Sequence, residues 1–408
     1  VIVLTTHADA KDAYRQRDLR QALYDEGEHL MHGVIVNLHG QAHLDRRRLE
    51  NRLFRRDTFT FYERDVIPAI IHEVMAPAVA AGAADLLPLA RRTMMTLSID
   101  VAGIDRRHRD GPDAQAEIDR LYHVMDRLAR ASTVSHATGD KAALIADGDA
   151  ALAEFEREFF APSLARRRDL VDRHERGDLP DDALPRDVLT TLLRNQDRLD
   201  LPADTVLREV AYFPWVGSHS TSNQFVHTMN HLFTWMAERP DHPVAHRQAL
   251  VDDALLRQRF VHESLRLHPA SPVSLRHALA EVTLRSGTVI PAGSMVSISL
   301  RDANRDPAVF GERPDEFDPF RTLADGATPW GLSFGHGLHA CLGQELAGGV
   351  EPAPGDGVDA LEHHLLGSIA VMAGIVLAAG AVPDPADPPV LDTSTTRQVF
   401  SRYAVRFG

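Results

Sequence analysis

One residue of this 408-residue chain has a chemistry that no other can duplicate: Cys341, its single cysteine. It cannot close an internal disulfide, and alone it cannot supply the several thiolates of a structural zinc or iron–sulfur site. It lies in the run Phe334-Gly-His-Gly-Leu-His-Ala-Cys341-Leu-Gly343, where Gly335, Gly337 and Gly343 allow turns and close backbone approach. Residues Cys341 to Ala347 read as the first turns of a helix. That would set the sulfur beside free N–H groups and the positive end of a helix dipole, and both favour thiolate over thiol. A lone cysteine at a glycine turn is more often buried and inert. A second group that could move protons is Val216-Gly217-Ser218-His219-Ser220-Thr221, which joins hydroxyls to an imidazole that titrates near neutrality.

The elements that must position these groups are readable from periodicity. From Asp204 to about Glu238, apolar residues such as Val206, Val210, Phe213, Phe225, Met229 and Leu232 recur at helical spacing. A helix of that length spans roughly 50 Å, enough to cross a domain. Pro214 inside it predicts a kink or widened groove beside Gly217, with Trp215 at its edge. A second helix is predicted over 254–267 and ends before Pro269; Glu263 and Arg266, three apart, are neighbours on it. Short strands and turns follow between Arg276 and Leu300, and the opening Val1-Ile-Val-Leu reads as a strand leading into an early helix. The apolar run Leu365–Val382 is long but rich in Gly and Ala, without basic or aromatic flanks, so a buried core helix is expected and not a membrane span. Breakers over 348–357 predict an inserted loop. His262-Glu263 lacks a second histidine at the right spacing, which excludes a zinc-peptidase helix.

Taken together, F-G-x-G-x-H-x-C-x-G and the upstream Glu263-Ser-Leu-Arg266 resemble the cytochrome P450 superfamily. The segments Ala303–Phe310 and Pro314–Arg321 are similar to its meander. The resemblance implies a mainly α fold with small β-sheets (α+β), with haem b (iron protoporphyrin IX) between a long distal helix and the proximal Cys loop. A flat macrocycle held there would lie against Phe334, Gly335 and Gly343, with Cys341 as the axial iron ligand. His43-Leu-Asp-Arg-Arg47 resembles the family's His-x-x-x-Arg; with Arg276 and His339 it implies four donors for the two haem propionates. Read alone, Arg46-Arg-Arg48 would be a solvated basic run. Gly217 matches the oxygen-binding gap, His219 stands where the family has an acid, and Ser220 where it has threonine. Glu316 stands where members often carry an arginine that joins the Glu–Arg pair, so Arg313 or Arg321 is expected to compensate.

The implied activity is that of a bacterial-type monooxygenase. It would activate O2 to oxidise a small organic substrate, with electrons from a separate ferredoxin or flavodoxin and its reductase. His219, Ser220 and Thr221 would deliver protons, and Trp215, Val216, Val273 and the stretch from Leu30 to Leu38 would line the substrate pocket. Alternatives are a peroxide-driven or non-oxygenating haem-thiolate enzyme, or a non-catalytic haem-binding relative. A formal charge of −14 argues against nucleic acid as a partner, and a single cysteine fits the reducing cytoplasm. Residues 1–408 are expected to form one domain, preceded in the whole protein by a further N-terminal segment.

Overall fold

The computed structural model describes residues 1–108, 111–352 and 364–408. Four short strands form its main sheet: β1 (Ile2–Leu4), β2 (Leu19–Gln21), β3 (Val273–Ala278) and β4 (Met295–Ser299). Their order is β1-β4-β3-β2, with β1 parallel to β4 and the other pairs antiparallel. Residues alternate between faces along a strand, so β3 buries Ser274, Arg276 and Ala278 together. Gln21 lies directly opposite Arg276.

Six helices position the site: α1 (Gly40–Glu50), α2 (Leu86–Ala102), α3 (Gly111–Ser132), α4 (Ala203–Glu238), α5 (Ala254–Leu267) and α6 (Ser368–Ala378). The 36-residue α4 is stable at this length because its two halves serve two cores. Val206, Val210, Phe213 and Trp215 pack with α3, whereas Phe225, Val226, Met229 and Leu232 pack with α5 and α6. Pro214 does not end the helix. The helix runs through it, and the Ser218 hydroxyl donates to the Pro214 carbonyl at 2.6 Å.

One other expectation changes. The helix after Cys341 begins only at Gln344 and runs five residues to Gly348, so the cysteine precedes it. It ends at Gly349, whose φ of +75° and tight surroundings exclude a side chain: a Cβ would meet Gln258 Nε2 at 2.3 Å. The expected loop 348–357 starts there, and its residues 353–357 lie outside the described residues. The apolar run Leu365–Val382 holds only α6 before the strand Ala381–Pro383, and α6 sits in the core. Among the described residues no helix is long and apolar enough to cross a membrane.

Candidate active site

The cysteine loop is tied to α5 through a buried polar network. Arg266, fully buried, donates to both carboxylate oxygens of Glu263 at 2.7 Å and to the carbonyls of Asn304 and Pro314 at 2.7 Å. The Asn304 side chain donates to the Arg266 carbonyl and to Ser333 Oγ, and accepts from the Leu332 amide. Ser333 Oγ donates to the Leu265 carbonyl, and the Cys341 amide donates to the Phe334 carbonyl at 2.9 Å. The Glu–Arg pair, nearly worthless if exposed, is therefore the base on which the loop rests. Arg321 fills the position that Glu316 cannot, with Nε 3.3 Å from Glu263 Oε1, while Arg313 pairs with Glu316 instead.

Cys341 is enclosed by protein, yet its surface is open because it faces a cavity of about 700 Å³. Burial pushes its thiol above the ordinary range; the Gly343 amide and Arg47 pull the other way and do not prevail. Loop geometry alone therefore does not favour the thiolate. Gly343 also lines the cavity, and a Cβ there would meet nothing within 4 Å. Its missing side chain leaves room on the cavity side instead of relieving a clash within the protein. Phe334 and Gly335 complete this wall.

The four expected propionate partners converge on the same cavity. His43 stacks on His339 at 4.0 Å, and Arg47 donates to the Ala340 carbonyl. Arg276 lies over the Tyr14 ring at 5.0 Å and donates to Gln21, its cross-strand neighbour. Burial and the nearby guanidinium of Arg47 depress His43 to about 4, and burial with His43 and Arg276 depresses His339 to about 2. Both rings are thus neutral donors. Neither Arg47 nor Arg276 forms an ion pair among the described residues, which is an expensive arrangement unless carboxylates enter the cavity. A thiol short of a cation, cations short of carboxylates and an unfilled glycine face together fit haem.

Helix α1 is held in place by Arg46, which is buried, not solvated: its Nη1 lies 2.5 Å from Glu209 Oε2 on α4 and 3.9 Å from Glu50. Arg48 alone of the basic run behaves as a surface residue. Burial and the charge of Glu209 hold the Glu50 carboxyl well above the carboxylate range, and neither of its oxygens has a hydrogen-bond partner. A group with a raised folded pKa binds more protons folded than unfolded, so stability declines as pH rises from the unfolded value, about 4.3, through the folded one. Glu50→Gln keeps the neutral shape without that slope. Denaturant melts should show the variant more stable than the parent at pH 8, by roughly 1–3 kcal/mol, with the gap closing towards pH 4.

Across the cavity stands α4. Trp215, Val216, Gly217, His219, Ser220 and Thr221 all line it, as does Val273. Of the stretch Leu30–Leu38 only Ile35 and Val36 do so, while Leu30, Met31 and Val34 are taken up by the core. A Cβ at Gly217 would come 2.8 Å from Ser98 Oγ, so this glycine admits the close crossing of α2. Ser220 Oγ donates back to the Val216 carbonyl at 2.7 Å; Thr221 has no hydrogen bond of this kind among the described residues. His219 is hydrogen-bonded at one ring nitrogen and faces a carboxylate with the other, whose geometry falls short of a hydrogen bond. Its Nδ1 is 3.0 Å from the Trp215 carbonyl, and its Nε2 is 3.4 Å from Asp126 Oδ1 on α3. A neutral imidazole has one N–H and can serve only one of these acceptors. Burial lowers the His219 pKa while Asp126 works against it. Tyr122 stacks on the ring at 5.3 Å and donates to Asp126, and Arg130 pairs with that carboxylate at 2.8 Å. Sequence reading missed Asp126 and Tyr122: they lie on an ordinary amphipathic helix, and no local spacing links them to His219.

These features define a class: a helical fold that presents one cysteine across a cavity from the middle of a long helix. A family model described as cytochrome P450 matches residues 158–348. A vitamin D(3) 25-hydroxylase of Pseudonocardia autotrophica is 35% identical over 169 residues, 41% of this chain and 38% of that protein. A cyclooctat-9-en-7-ol 5-monooxygenase of Streptomyces melanosporofaciens is 32% identical over 205 residues, 45% of this chain and 43% of that protein. The matches thus span less than half the length of these curated relatives. Among solved structures, CalO2 superposes over 100% of this chain and 90% of its own with a TM-score of 0.73 at 19% identity. The LnmA cytochrome P450 hydroxylase of Streptomyces atroolivaceus covers 99% of this chain, and 90% of its own is matched, with a TM-score of 0.69 at 20% identity. Residues 158–348 thus match the cytochrome P450 family, whose members bind haem, and the chain shares the fold of the solved structures.

Proposed function

We propose that this protein is a cytoplasmic haem-thiolate monooxygenase acting on an apolar organic substrate. One atom of dioxygen enters the substrate; the other leaves as water, with two protons and two electrons, the latter supplied by a separate ferredoxin or flavodoxin and its reductase. The observation that carries this reading is the shared cavity, with Cys341 on one wall and Gly217 to Thr221 on the other. In it Cys341 would hold the iron, and His43, Arg47, Arg276 and His339 would hold the propionates. The bound haem supplies the redox chemistry, and thiolate donation favours O–O cleavage. The chain excludes bulk water, orients the substrate against apolar side chains such as Val216 and Val273, and keeps hydroxyls within reach of the oxygen site.

Turnover with reductase, NADPH and isotopically labelled dioxygen should incorporate one labelled atom per product. Oxygen uptake indifferent to every substrate, with no labelled product, would sink the proposal. Ser220→Ala combined with Thr221→Ala should divert most electrons into hydrogen peroxide, by roughly tenfold if these hydroxyls assist proton transfer as general acids do. Substrate affinity should stay the same. The Asp126–His219 pair favours a second reading, oxidation driven by peroxide, because an acid–base pair near the oxygen site can relay a peroxide proton. Product formed with hydrogen peroxide and no reductase would support it.

A further inference from the structure

Three guanidinium groups line the cavity besides Arg47 and Arg276: Arg130 pairs with Asp126, Arg91 lies over the Tyr122 ring at 5.1 Å, and the third is Arg397. Arg397 lies in the loop between strands Val390–Leu391 and Phe400–Arg402, which is fastened to the end of α3's connection: the Thr396 amide donates to the His136 carbonyl at 3.0 Å. Arg397 lines the cavity, its Nε is buried without a hydrogen-bond partner, and it forms no ion pair among the described residues. Three carboxylates on the cavity wall are committed elsewhere. Asp126 pairs with Arg130, Asp140 caps the Ala143 amide, and Asp392 accepts from Ser394. The neighbouring polar groups give it no acceptor of opposite charge either. His136 is bound to Ser271 Oγ at 3.1 Å, and Tyr24 is a neutral phenol placed among Arg397, Arg276 and Cys341.

A buried charge without a partner is costly, and a site that keeps one is built to receive the opposite charge. Haem brings two carboxylates, and the four donors already described suffice for both. We infer that Arg397 binds a carboxylate of the substrate, so that the preferred substrates are apolar acids held at one end by the guanidinium. This rests on the monooxygenase reading for the fate of the substrate, but the contact itself is a matter of binding. Arginine suits the role because its planar fork meets a carboxylate through two parallel hydrogen bonds. The apolar remainder of such a molecule would lie along Val36, Phe213, Val216 and Val399.

The test compares dodecanoic, cinnamic and cholic acids, each with its methyl ester, by titrating the haem-loaded protein and following the haem spectrum and equilibrium dialysis. At least one acid should bind about tenfold or more tightly than its ester, the scale of a charge-assisted bidentate contact. Arg397→Gln should abolish that preference and leave ester affinity unchanged, and Arg397→Lys should restore part of it. Removing an unpaired buried charge does not threaten the fold. Equal affinity for acid and ester throughout, or a preference that survives in Arg397→Gln, would overturn the inference. So would loss of bound haem from Arg397→Gln, measured by haem extraction, because Arg397 would then be a propionate partner. Absence of product from every compound would count against the monooxygenase reading alone, since the binding measurement needs no turnover.

Discussion

Cys341→Ser is expected to abolish the thiolate signature in the spectrum of the reduced carbon monoxide complex and to remove essentially all substrate oxidation. No other residue can replace the sulfur, because the chain has no second cysteine. Serine keeps the loop's shape, and the Phe334 carbonyl would still accept from the backbone amide of residue 341. The effect is therefore electronic. A serine hydroxyl ionises far less readily than a thiol, and oxygen donates less charge to iron than sulfur does. The enclosure of Cys341 sharpens the point, since burial already holds the thiol protonated in the absence of a cation. Haem extraction and a thermal melt on the same preparation separate loss of the ligand from loss of the fold. A serine variant with an unchanged carbon monoxide spectrum would show that another group binds the iron.

Arg266→Leu should have the largest effect on stability. The guanidinium is fully buried and donates to Glu263, Asn304 and Pro314, with Glu316 at 3.3 Å and the Phe310 ring at 5.0 Å. Leucine would strand a buried carboxylate and at least two carbonyls. Breaking one buried pair from one side costs about 3–5 kcal/mol, against a typical total stability of about 5–15 kcal/mol. Arg321 remains near Glu263 and offsets part of the loss. Little soluble, haem-loaded protein is expected from this variant at 37 °C. Arg266→Lys provides a graded control: it restores one contact with Glu263 but not the fork, and should melt between the parent and the leucine variant. A leucine variant that melts within a few degrees of the parent would show that the network does not support the cysteine loop.

Local signals were legible wherever one segment carries its own chemistry. The glycine spacing around Cys341, the helical rhythm from 204 to 238 and the alternation of β3 follow from backbone geometry that depends on near neighbours in the chain. They led to the family resemblance, to the cysteine and, among the cavity's cations, to Arg47 and Arg276. Breakers were less reliable. Pro214 is absorbed inside α4 because both halves of that helix are buried in cores, and packing outweighs one lost hydrogen bond.

What only the tertiary structure decided is which charges meet. Arg46, Arg47 and Arg48 are adjacent and chemically alike, yet one pairs with Glu209, one faces the cavity and one stays on the surface. Periodicity cannot assign them, because the partner of the first lies 163 residues away. The same holds for His219 with Asp126, for Arg321 in place of Glu316, and for Arg397 facing the cavity without a carboxylate. Each depends on how low-dielectric surroundings and opposing elements are brought together, and an ion's energy is set by that environment, not by its neighbours in sequence.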